Sequence, residues 1–309
     1  MRRAVLGLLV LLLAGCLQAG FEEPPPGGPV ETRWAPETTP TAIALTVHGF
    51  NDRKAAFAEF GQFAATQGVL VVAYDQAGFG VRSDRRQWAG TPQLAGELHD
   101  RVLALQHEYP GVPVYVVAES MGASVAIVAF SEPEAPPIAG LVLVSPAVWG
   151  GNTLKPLYRF ILRSVSTIAP GVRVTGRGLG RQSSDNIPAI KALAKDPMFI
   201  KDTRLDTIQG VVGLMDEARR RAPDVTPPTM VLIGANDQIV PLTAIESFLA
   251  EDAPRDCTTI AYLGGWHLLL RDLQRERVFE DILAWMHGDP PPSGLWRPCA
   301  AGVTASARH

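Results

Sequence analysis

The sequence predicts an α/β fold, with helices on both faces of a mostly parallel central sheet and a helical cap insertion. The first observation is that short apolar β-type runs alternate with helical patterns along the chain. The β-type runs lie near 41–47, 69–74, 113–119, 138–145, 229–235 and 258–263, and the helical patterns near 53–67, 92–109, 121–131, 242–251 and 268–287. The second observation is a gap in this alternation over residues 150–228, which we assign to the cap. A single domain over residues 41–288 follows.

Ser120 lies in the segment Ala118-Glu119-Ser120-Met121-Gly122, between a β-type run and a helical run. A turn from strand to helix strains its central residue and exposes the side chain, which is the setting of a nucleophilic serine. Small residues are needed two positions to either side, and Ala118 and Gly122 supply them. Ala118 replaces the first glycine of the usual G-x-S-x-G pattern. A serine that only caps the helix is the alternative, so the interpretation depends on partners elsewhere.

A nucleophilic serine needs a histidine as base and a carboxylate that orients the histidine. Asp237 and His267 each follow a β-type run directly. With Ser120 they fall at the carboxyl ends of strands, in the order serine, acid, histidine. Taken singly, Asp237 could cap a turn and His267 could be an ordinary loop histidine. Asp256 and Asp272 fit the acid less well, because one precedes its strand and the other falls in the last predicted helix.

Two backbone N–H groups are predicted to form an oxyanion hole. One belongs to Met121, the residue after the serine, and the other to Phe50, in the loop after the first β-type run. Gly49 lets the backbone of that loop bend close to a reacting carbonyl. His48 precedes the loop donor, so we interpret it as a structural histidine beneath the loop.

These segments together resemble the α/β-hydrolases, and within them the monoglyceride lipase and lysophospholipase-like branch of serine aminopeptidase S33 type. The matching segments are His48-Gly49-Phe50, DQAGFG at 75–80, Glu119-Ser120-Met121-Gly122, GAND at 234–237 and Trp266-His267-Leu268-Leu269. The sequence differs from the usual pattern of such relatives at Ala77, where an arginine is expected. It implies the α/β-hydrolase fold and a serine hydrolase that cleaves carboxylic esters of monoacyl lipids, of monoacylglycerol or lysophospholipid type. The alternatives are an acyltransferase of the cell envelope and a non-catalytic envelope interaction protein.

The cap range holds two apolar stripes with the spacing of amphipathic helices. They are formed by Leu154, Leu157, Tyr158, Ile161, Leu162 and Val165, and by Leu205, Ile208, Val211, Val212 and Met215. The stripes either pack over the sheet or line an acyl-chain groove above Ser120, and both interpretations are open. Between them, residues 171–184 are rich in glycine and arginine, which is typical of a solvated loop and also suits a gate.

The composition of the chain indicates a folded domain and does not support nucleic-acid binding. The chain has 309 residues, 47% of them apolar, and a net charge of −3. It can therefore bury a large core and offers no basic field for nucleic acid. The sequence contains no cluster with metal-ligand spacing and identifies no protein partner. We expect a small lipid or ester substrate, and no metal or organic cofactor.

Residues 1–16 predict a lipoprotein signal peptide. Arg2 and Arg3 precede an apolar stretch over 4–14, which is too short to span a bilayer but suits a signal peptide. The following Leu13-Ala14-Gly15-Cys16 resembles a bacterial lipobox, which makes Cys16 the lipidated first residue of the mature protein. The expected location is the bacterial cell envelope, lipid-anchored in a membrane and facing the periplasm or the exterior. The alternatives are an ordinary secretory signal with an incidental cysteine and a buried helix.

Two segments flank the predicted domain. Residues 17–40 are rich in proline and are expected to form an extended tether, with a short edge strand near 30–34. Residues 289–309 form a C-terminal tail. Cys257 and Cys299 make an even pair in an exported chain, so a disulfide between the tail and the last strand is predicted. Two unpaired cysteines are the alternative, because disulfide geometry is strict.

Overall fold

The computed structural model describes residue 28 and residues 30–149, 156–176 and 180–299, with side chains from residue 162 onward in the helix that begins at 156. Several sequence predictions lie outside the described residues. They concern Cys16 with the signal peptide, most of the tether, Leu154 and Arg177, the side chains of Leu157, Tyr158 and Ile161, and the tail from residue 300.

The central sheet follows the predicted alternation of strands. Its strands are β1 Glu31–Trp34, β2 Ala42–Val47, β3 Val69–Tyr74, β4 Val114–Glu119, β5 Gly140–Val144, β8 Thr229–Gly234, β9 Cys257–Tyr262 and β10 Arg297–Pro298. They lie in the order β1-β3-β2-β4-β5-β8-β9-β10. The edge strands are antiparallel to their neighbours, β1 to β3 and β10 to β9. The strands between them pair parallel to one another. The carboxyl ends of β2, β4, β8 and β9 therefore meet at one edge of the sheet.

The inner strands are continuous apolar runs because helices cover both faces of the sheet. β2, β3, β5 and β8 are buried along their whole length. The polar Thr46 in β2 satisfies its hydroxyl group by donating to the carbonyl of Val72 at 3.3 Å. Such runs fix which segments become central strands, since an exposed position would leave apolar surface in water.

The described helices are α1 Ala58–Thr66, α2 Thr91–Glu108, α3 Met121–Phe130, α4 Pro156–Ile168, α5 Ile187–Lys195, α6 Leu205–Arg221, α7 Leu242–Glu251 and α8 Arg275–Met286. Six of the described helices divide between the two faces of the sheet, and α4 and α5 belong to the cap. One core lies between the sheet and α2, α3, α6 and α7, and the other between the sheet and α1 and α8. In the second core, Phe60 of α1 meets Phe279 of α8 edge to face. Among these helices none combines the length and apolar character needed to cross a membrane.

The cap is smaller than the predicted range of 150–228. The structure places α4, α5 and a short antiparallel pair, β6 Arg173–Val174 with β7 Thr203–Arg204, in this range. Helix α6 also falls in the range, but it packs against α3 on the face of the sheet. Leu214 and Ala218 of α6 are fully buried there. Of the second stripe, Val211 and Met215 are also buried in this core and Val212 packs against it, which favours the packing interpretation for these three residues.

Both ends of the domain extend beyond the predicted boundaries. Strand β1 lies inside the range assigned to the tether, and the expected edge strand is confirmed at Glu31–Trp34. Trp34 lies against Gly61 of α1, where a Cβ atom would come within 2.4 Å of the indole. At the other end, part of the tail folds onto the domain through β10. A disulfide joins Cys257, the first residue of β9, to Cys299.

The last predicted helix, 268–287, is interrupted. The structure has a 3₁₀ turn over Leu269–Arg271 and then α8 from Arg275. Between them Asp272 is extended, with φ −66° and ψ 165°. Its buried carboxylate accepts hydrogen bonds from the N–H of Trp266 at 2.7 Å and from the hydroxyl of Ser184 at 2.6 Å. These bonds tie the loop before the helix to the cap, and they replace the helical path that the apolar pattern predicts. Asp272 is thus not a helical residue.

Burial raises the pKa of Asp272 to about 6, although the bonds from Ser184 and Trp266 lower it. The folded protein therefore holds a proton between about pH 4 and pH 6 that the unfolded chain releases. Ionisation of Asp272 then costs stability as the pH rises through this window. We predict that the Asp272→Asn variant, which cannot ionise, gains about 1–2 kcal/mol relative to the wild type between pH 4.5 and pH 7.

The measurement is urea unfolding of both proteins at the two pH values. Asp256→Asn serves as the control, because Asp256 is exposed and lies before β9. A difference between the Asp272→Asn variant and the wild type that stays constant with pH would contradict the raised pKa of Asp272.

Candidate active site

Ser120 occupies a strained turn at the carboxyl end of β4. Its φ of 54° and ψ of −115° are rare for a residue with a side chain, and α3 begins at the next residue. The N–H of Ser120 donates to the carbonyl of Val144 at 2.9 Å, which anchors the turn to β5. A Cβ atom on Gly122 would come within 2.2 Å of the Val47 carbonyl oxygen, so the close approach of α3 to β2 requires glycine. Ala118 is fully buried, as expected for a position with little space.

The structure brings Ser120, His267 and Asp237 into one hydrogen-bonded chain. Nε2 of His267 lies 3.0 Å from Oγ of Ser120, and Nδ1 of His267 lies 2.7 Å from Oδ2 of Asp237. The other carboxylate oxygen of Asp237 accepts from the N–H groups of Ile239 at 2.7 Å and Val240 at 2.9 Å. Because a carboxylate accepts from Nδ1, the neutral imidazole holds its proton there and presents Nε2 to the serine hydroxyl as an acceptor.

Close backbone packing sets the distance between the aspartate and histidine loops. The loop after β8 carries Asp237, and the loop after β9 carries His267. A Cβ atom on Gly234 would come within 2.2 Å of the Trp266 carbonyl oxygen. The N–H of Asn236 also donates to the carbonyl of Gly265 at 2.8 Å. A side chain at position 234 would therefore separate the acid from the histidine.

The two residues predicted to supply oxyanion donors come from segments that adjoin the serine. Met121 is the first residue of α3, where a backbone N–H has no partner within the helix. Phe50 follows Gly49, and an added Cβ atom on Gly49 would lie 3.2 Å from Cβ of Ser120. The loop after β2 thus passes directly beside the serine. This arrangement can stabilise negative charge on a carbonyl oxygen that is attacked by Ser120.

His48 supports the oxyanion loop from below. It is fully buried, its Nδ1 lies 2.9 Å from the Gly49 carbonyl oxygen, and its Nε2 accepts from the N–H of Gln76 at 3.1 Å. Burial lowers the pKa of His48, so the ring is neutral and donates from Nδ1 to Gly49. The side-chain amide of Gln76 also donates to the His48 carbonyl at 2.7 Å. These contacts favour the structural interpretation of His48.

Asp75, the first residue of the DQAGFG segment, has a role that its sequence pattern does not indicate. Its buried carboxylate accepts from the backbone N–H of Lys54 at 2.7 Å and from Nζ of Lys54 at 2.9 Å. It also accepts from the N–H of Val81 at 3.0 Å. Asp75 therefore fixes the start of a 3₁₀ turn, Lys54–Phe57, which follows the oxyanion loop. At Ala77, Glu97 accepts from the backbone N–H at 3.2 Å and pairs with Arg82.

A second group of residues missed by the sequence analysis is a buried ion cluster. Arg271 binds the carboxylates of Asp52 and Glu119, and Glu119 directly precedes Ser120. No local pattern points to it, because its members lie far apart in the chain. The disulfide of Cys257 and Cys299 lies at the opposite, amino-terminal end of β9 and belongs to a different part of the molecule.

The cap is attached to the loops that carry the acid and the histidine. The N–H of Leu268 donates to the Ser183 carbonyl at 2.9 Å. Arg181 donates to the Gln238 carbonyl at 2.6 Å, and the Gln182 N–H donates to the Gln238 side chain at 3.1 Å.

Of the residues with described positions, no group of His, Cys, Asp and Glu could hold a metal ion.

Comparison with known proteins identifies the family. The sequence pattern of the family described as "Serine aminopeptidase, S33" matches residues 38–274, a range that contains Ser120, Asp237 and His267. The monoacylglycerol lipase of Mycolicibacterium smegmatis is 22% identical over 256 residues, which cover 82% of this chain and 90% of that protein. The monoglyceride lipase of Homo sapiens is 24% identical over 276 residues, which cover 86% of this chain and 88% of that protein.

A solved structure shows the same fold. A soluble variant of the monoglyceride lipase from Saccharomyces cerevisiae, in complex with a substrate analog, has a TM-score of 0.72 at 18% identity. The similarity covers 84% of this chain and 91% of that chain. Together with the strand order and the family match, it shows that this chain belongs to the serine aminopeptidase S33 family and has the α/β-hydrolase fold.

Proposed function

We propose that the protein is a serine hydrolase that cleaves carboxylic esters of monoacyl lipids, of monoacylglycerol or lysophospholipid type. The observation that carries the proposal is the hydrogen-bonded chain from Ser120 through His267 to Asp237 at the carboxyl edge of the sheet. Such a chain generates a serine nucleophile without a metal or an organic cofactor.

In the first half of the reaction, Ser120 is acylated. Nε2 of His267 takes the hydroxyl proton as Oγ of Ser120 attacks the ester carbonyl carbon. The N–H groups of Phe50 and Met121 stabilise the negative charge that develops on the carbonyl oxygen. The Asp237 carboxylate stabilises the imidazolium and keeps the ring oriented. When the tetrahedral intermediate collapses, the imidazolium protonates the leaving alcohol, and the acyl group remains on Oγ.

In the second half, water removes the acyl group. His267 takes a proton from the water molecule as the water oxygen attacks the acyl carbon. The same two N–H groups stabilise the second oxyanion. Collapse of this intermediate returns the proton to Oγ of Ser120 and releases the fatty acid. The strained turn keeps the hydroxyl accessible in both halves.

The substrate class rests on two kinds of support. Relatives with named activities include monoacylglycerol and monoglyceride lipases and a phospholipase, and each of these matches most of this chain. In addition, apolar side chains are exposed near the acid and histidine loops in the sequence and on the cap. Ile239 follows Asp237, Leu273 follows the histidine loop, and Ile187 begins α5 of the cap. Exposed apolar groups beside a site suit a ligand with a long acyl chain.

We predict that Ser120→Ala lowers kcat for monoacylglycerol at least about 10⁴-fold and that Asp237→Asn lowers it about as much, since the two residues act as one unit with His267. The measurement is fatty acid release by the purified protein. Ser131→Ala at the other end of α3 is the matched control, because its hydroxyl only donates to the Val128 carbonyl. Activity that survives in the Ser120→Ala variant would contradict the assignment.

The same assay tests the bond class. Because the family pattern is described as that of a serine aminopeptidase, peptide p-nitroanilides should be measured beside monoacylglycerol and lysophospholipid. We expect a higher kcat/KM for the esters. Cleavage of the anilides alone would overturn the ester assignment and leave the serine mechanism in place.

We also propose that Cys16 anchors the protein in a membrane of the bacterial cell envelope. The support is the order of positive, apolar and small residues that ends in Leu13-Ala14-Gly15-Cys16. More than one acyl chain makes attachment stable, because each buried CH₂ contributes about 0.8 kcal/mol and one chain alone is marginal.

The anchor predicts that an alkyne fatty acid fed to cells labels the wild type and the Gln18→Ala control but not the Cys16→Ser variant. Processing of the signal peptide should also stop in the Cys16→Ser variant. A processed, membrane-free wild type that carries no label would show that the segment is an ordinary secretory signal.

A further inference from the structure

One guanidinium nitrogen joins the loops that surround the candidate nucleophile. Nη2 of Arg271 donates to Oδ2 of Asp52 and, at 3.0 Å, to Oε2 of Glu119. Asp52 lies in the loop after β2, Glu119 is the last residue of β4, and Arg271 ends the 3₁₀ turn that follows His267. The two carboxylates are 219 and 152 positions from the arginine in the chain. The contact is therefore made by the tertiary fold and not by any local segment.

The cluster is shielded from water. Glu119 is 1% exposed, Asp52 is 4% exposed, and the side chain of Arg271 is 12% exposed. Charges in such an environment interact strongly and are screened little by salt. Removal of the guanidinium would leave two buried carboxyl groups near each other without the donor that joins them. The arginine thus holds two backbone segments together that would otherwise separate.

Each carboxylate is coupled to a group that the proposed reaction uses. Glu119 is bonded covalently to Ser120. Asp52 follows Phe50 by two residues, and its N–H donates to the Gly49 carbonyl at 3.3 Å. Gly49 in turn lies against Ser120. A shift of Asp52 would therefore move the N–H of Phe50 relative to the serine.

Arg271 keeps its charge inside the cluster. Burial lowers the pKa of Arg271, but the carboxylates of Asp52 and Glu119 together raise it by more, so that the pKa lies above its usual range. The guanidinium is therefore charged at every working pH. Burial raises the pKa of Glu119, and the charge of Arg271 opposes that rise. The backbone of Arg271 is also fixed, because its carbonyl accepts from the Asn186 side chain of the cap at 2.9 Å.

We propose that Arg271 is a positioning residue for the ester hydrolysis proposed above, on which this inference rests. By binding Asp52 and Glu119 at once, its guanidinium fixes the distance between the oxyanion loop and Ser120. Arg271 does not touch the reacting atoms, so it acts through the placement of the Phe50 N–H. Its loss should weaken binding of the transition state and leave binding of the substrate nearly unchanged.

The experiment compares Arg271→Met with the wild type in the full chain. A displacement of about 1 Å costs about 10²-fold in rate, so we expect kcat for monoacylglycerol to fall about 10²-fold while KM changes less than about threefold. A trifluoromethyl ketone that carries the substrate acyl chain forms an oxyanion on Ser120 and reports the transition state. Its Ki should rise by the same factor as kcat falls. A residue that only stabilises the fold would not produce this split.

Two variants separate positioning from general loss of stability. Arg219→Met removes another buried arginine, whose Nε donates to Oδ2 of Asp252 at 2.7 Å. We expect this variant to lose thermal stability and to keep the kcat of its folded fraction. Arg271→Lys should recover part of the kcat, because both carboxylates bind one nitrogen and an ammonium group can donate to both.

If Arg271→Met does not fold, Asp52→Asn replaces it, since this change keeps the volume and removes one charged partner. We expect about a tenfold loss of kcat with unchanged KM. A kcat within about threefold of the wild type in the folded Arg271→Met or Asp52→Asn variant overturns the proposal. If the wild type hydrolyses no ester, the proposed function fails separately. The rate of Ser120 phosphonylation by a fluorophosphonate then replaces kcat, and equal rates in wild type and variant overturn the positioning role.

Discussion

The turn at Ser120 is the constraint on which the rest of the site depends. A residue with a side chain at φ 54° and ψ −115° stays there only when its surroundings hold it. The main chain does this, since the N–H of Ser120 binds the Val144 carbonyl and its own carbonyl accepts from Ala147 at 3.1 Å. Gly122 lets α3 approach β2, and Gly49 lets the oxyanion loop pass beside the serine. The parallel sheet supplies the frame, because its carboxyl ends meet at this edge.

Two buried polar systems join loops that the sheet alone would leave independent. The Asp237 carboxylate connects the loops after β8 and β9 through His267, and Arg271 connects the loops after β2 and β9 to the end of β4. A further buried carboxylate, that of Asp272, attaches the histidine loop to Ser184 of the cap. Buried charges are weak contributors to net stability, but each bond fixes a direction. In this molecule they orient groups around Ser120.

The sequence predicted the parts whose signal is local. Ser120, Asp237 and His267 each follow a short apolar run, and parallel strands bring such positions together. The Arg271 cluster gave no signal, since each member looks like an ordinary charged residue until the fold buries it. The break at Asp272 was missed because its partners Ser184 and Trp266 come from other segments. The apolar stripe of α6 was assigned to the cap because periodicity shows which side is apolar and not what covers it.

The most direct measurement is the capture of the covalent intermediate. Monoacylglycerol is mixed with the protein, the reaction is quenched in acid within milliseconds, and the peptides are analysed by mass spectrometry. The account predicts one acyl group on the peptide that contains Ser120, formed in the wild type and not in the His267→Ala variant. Turnover of the substrate without an acyl group on Ser120, or with the acyl group on another residue, would contradict it.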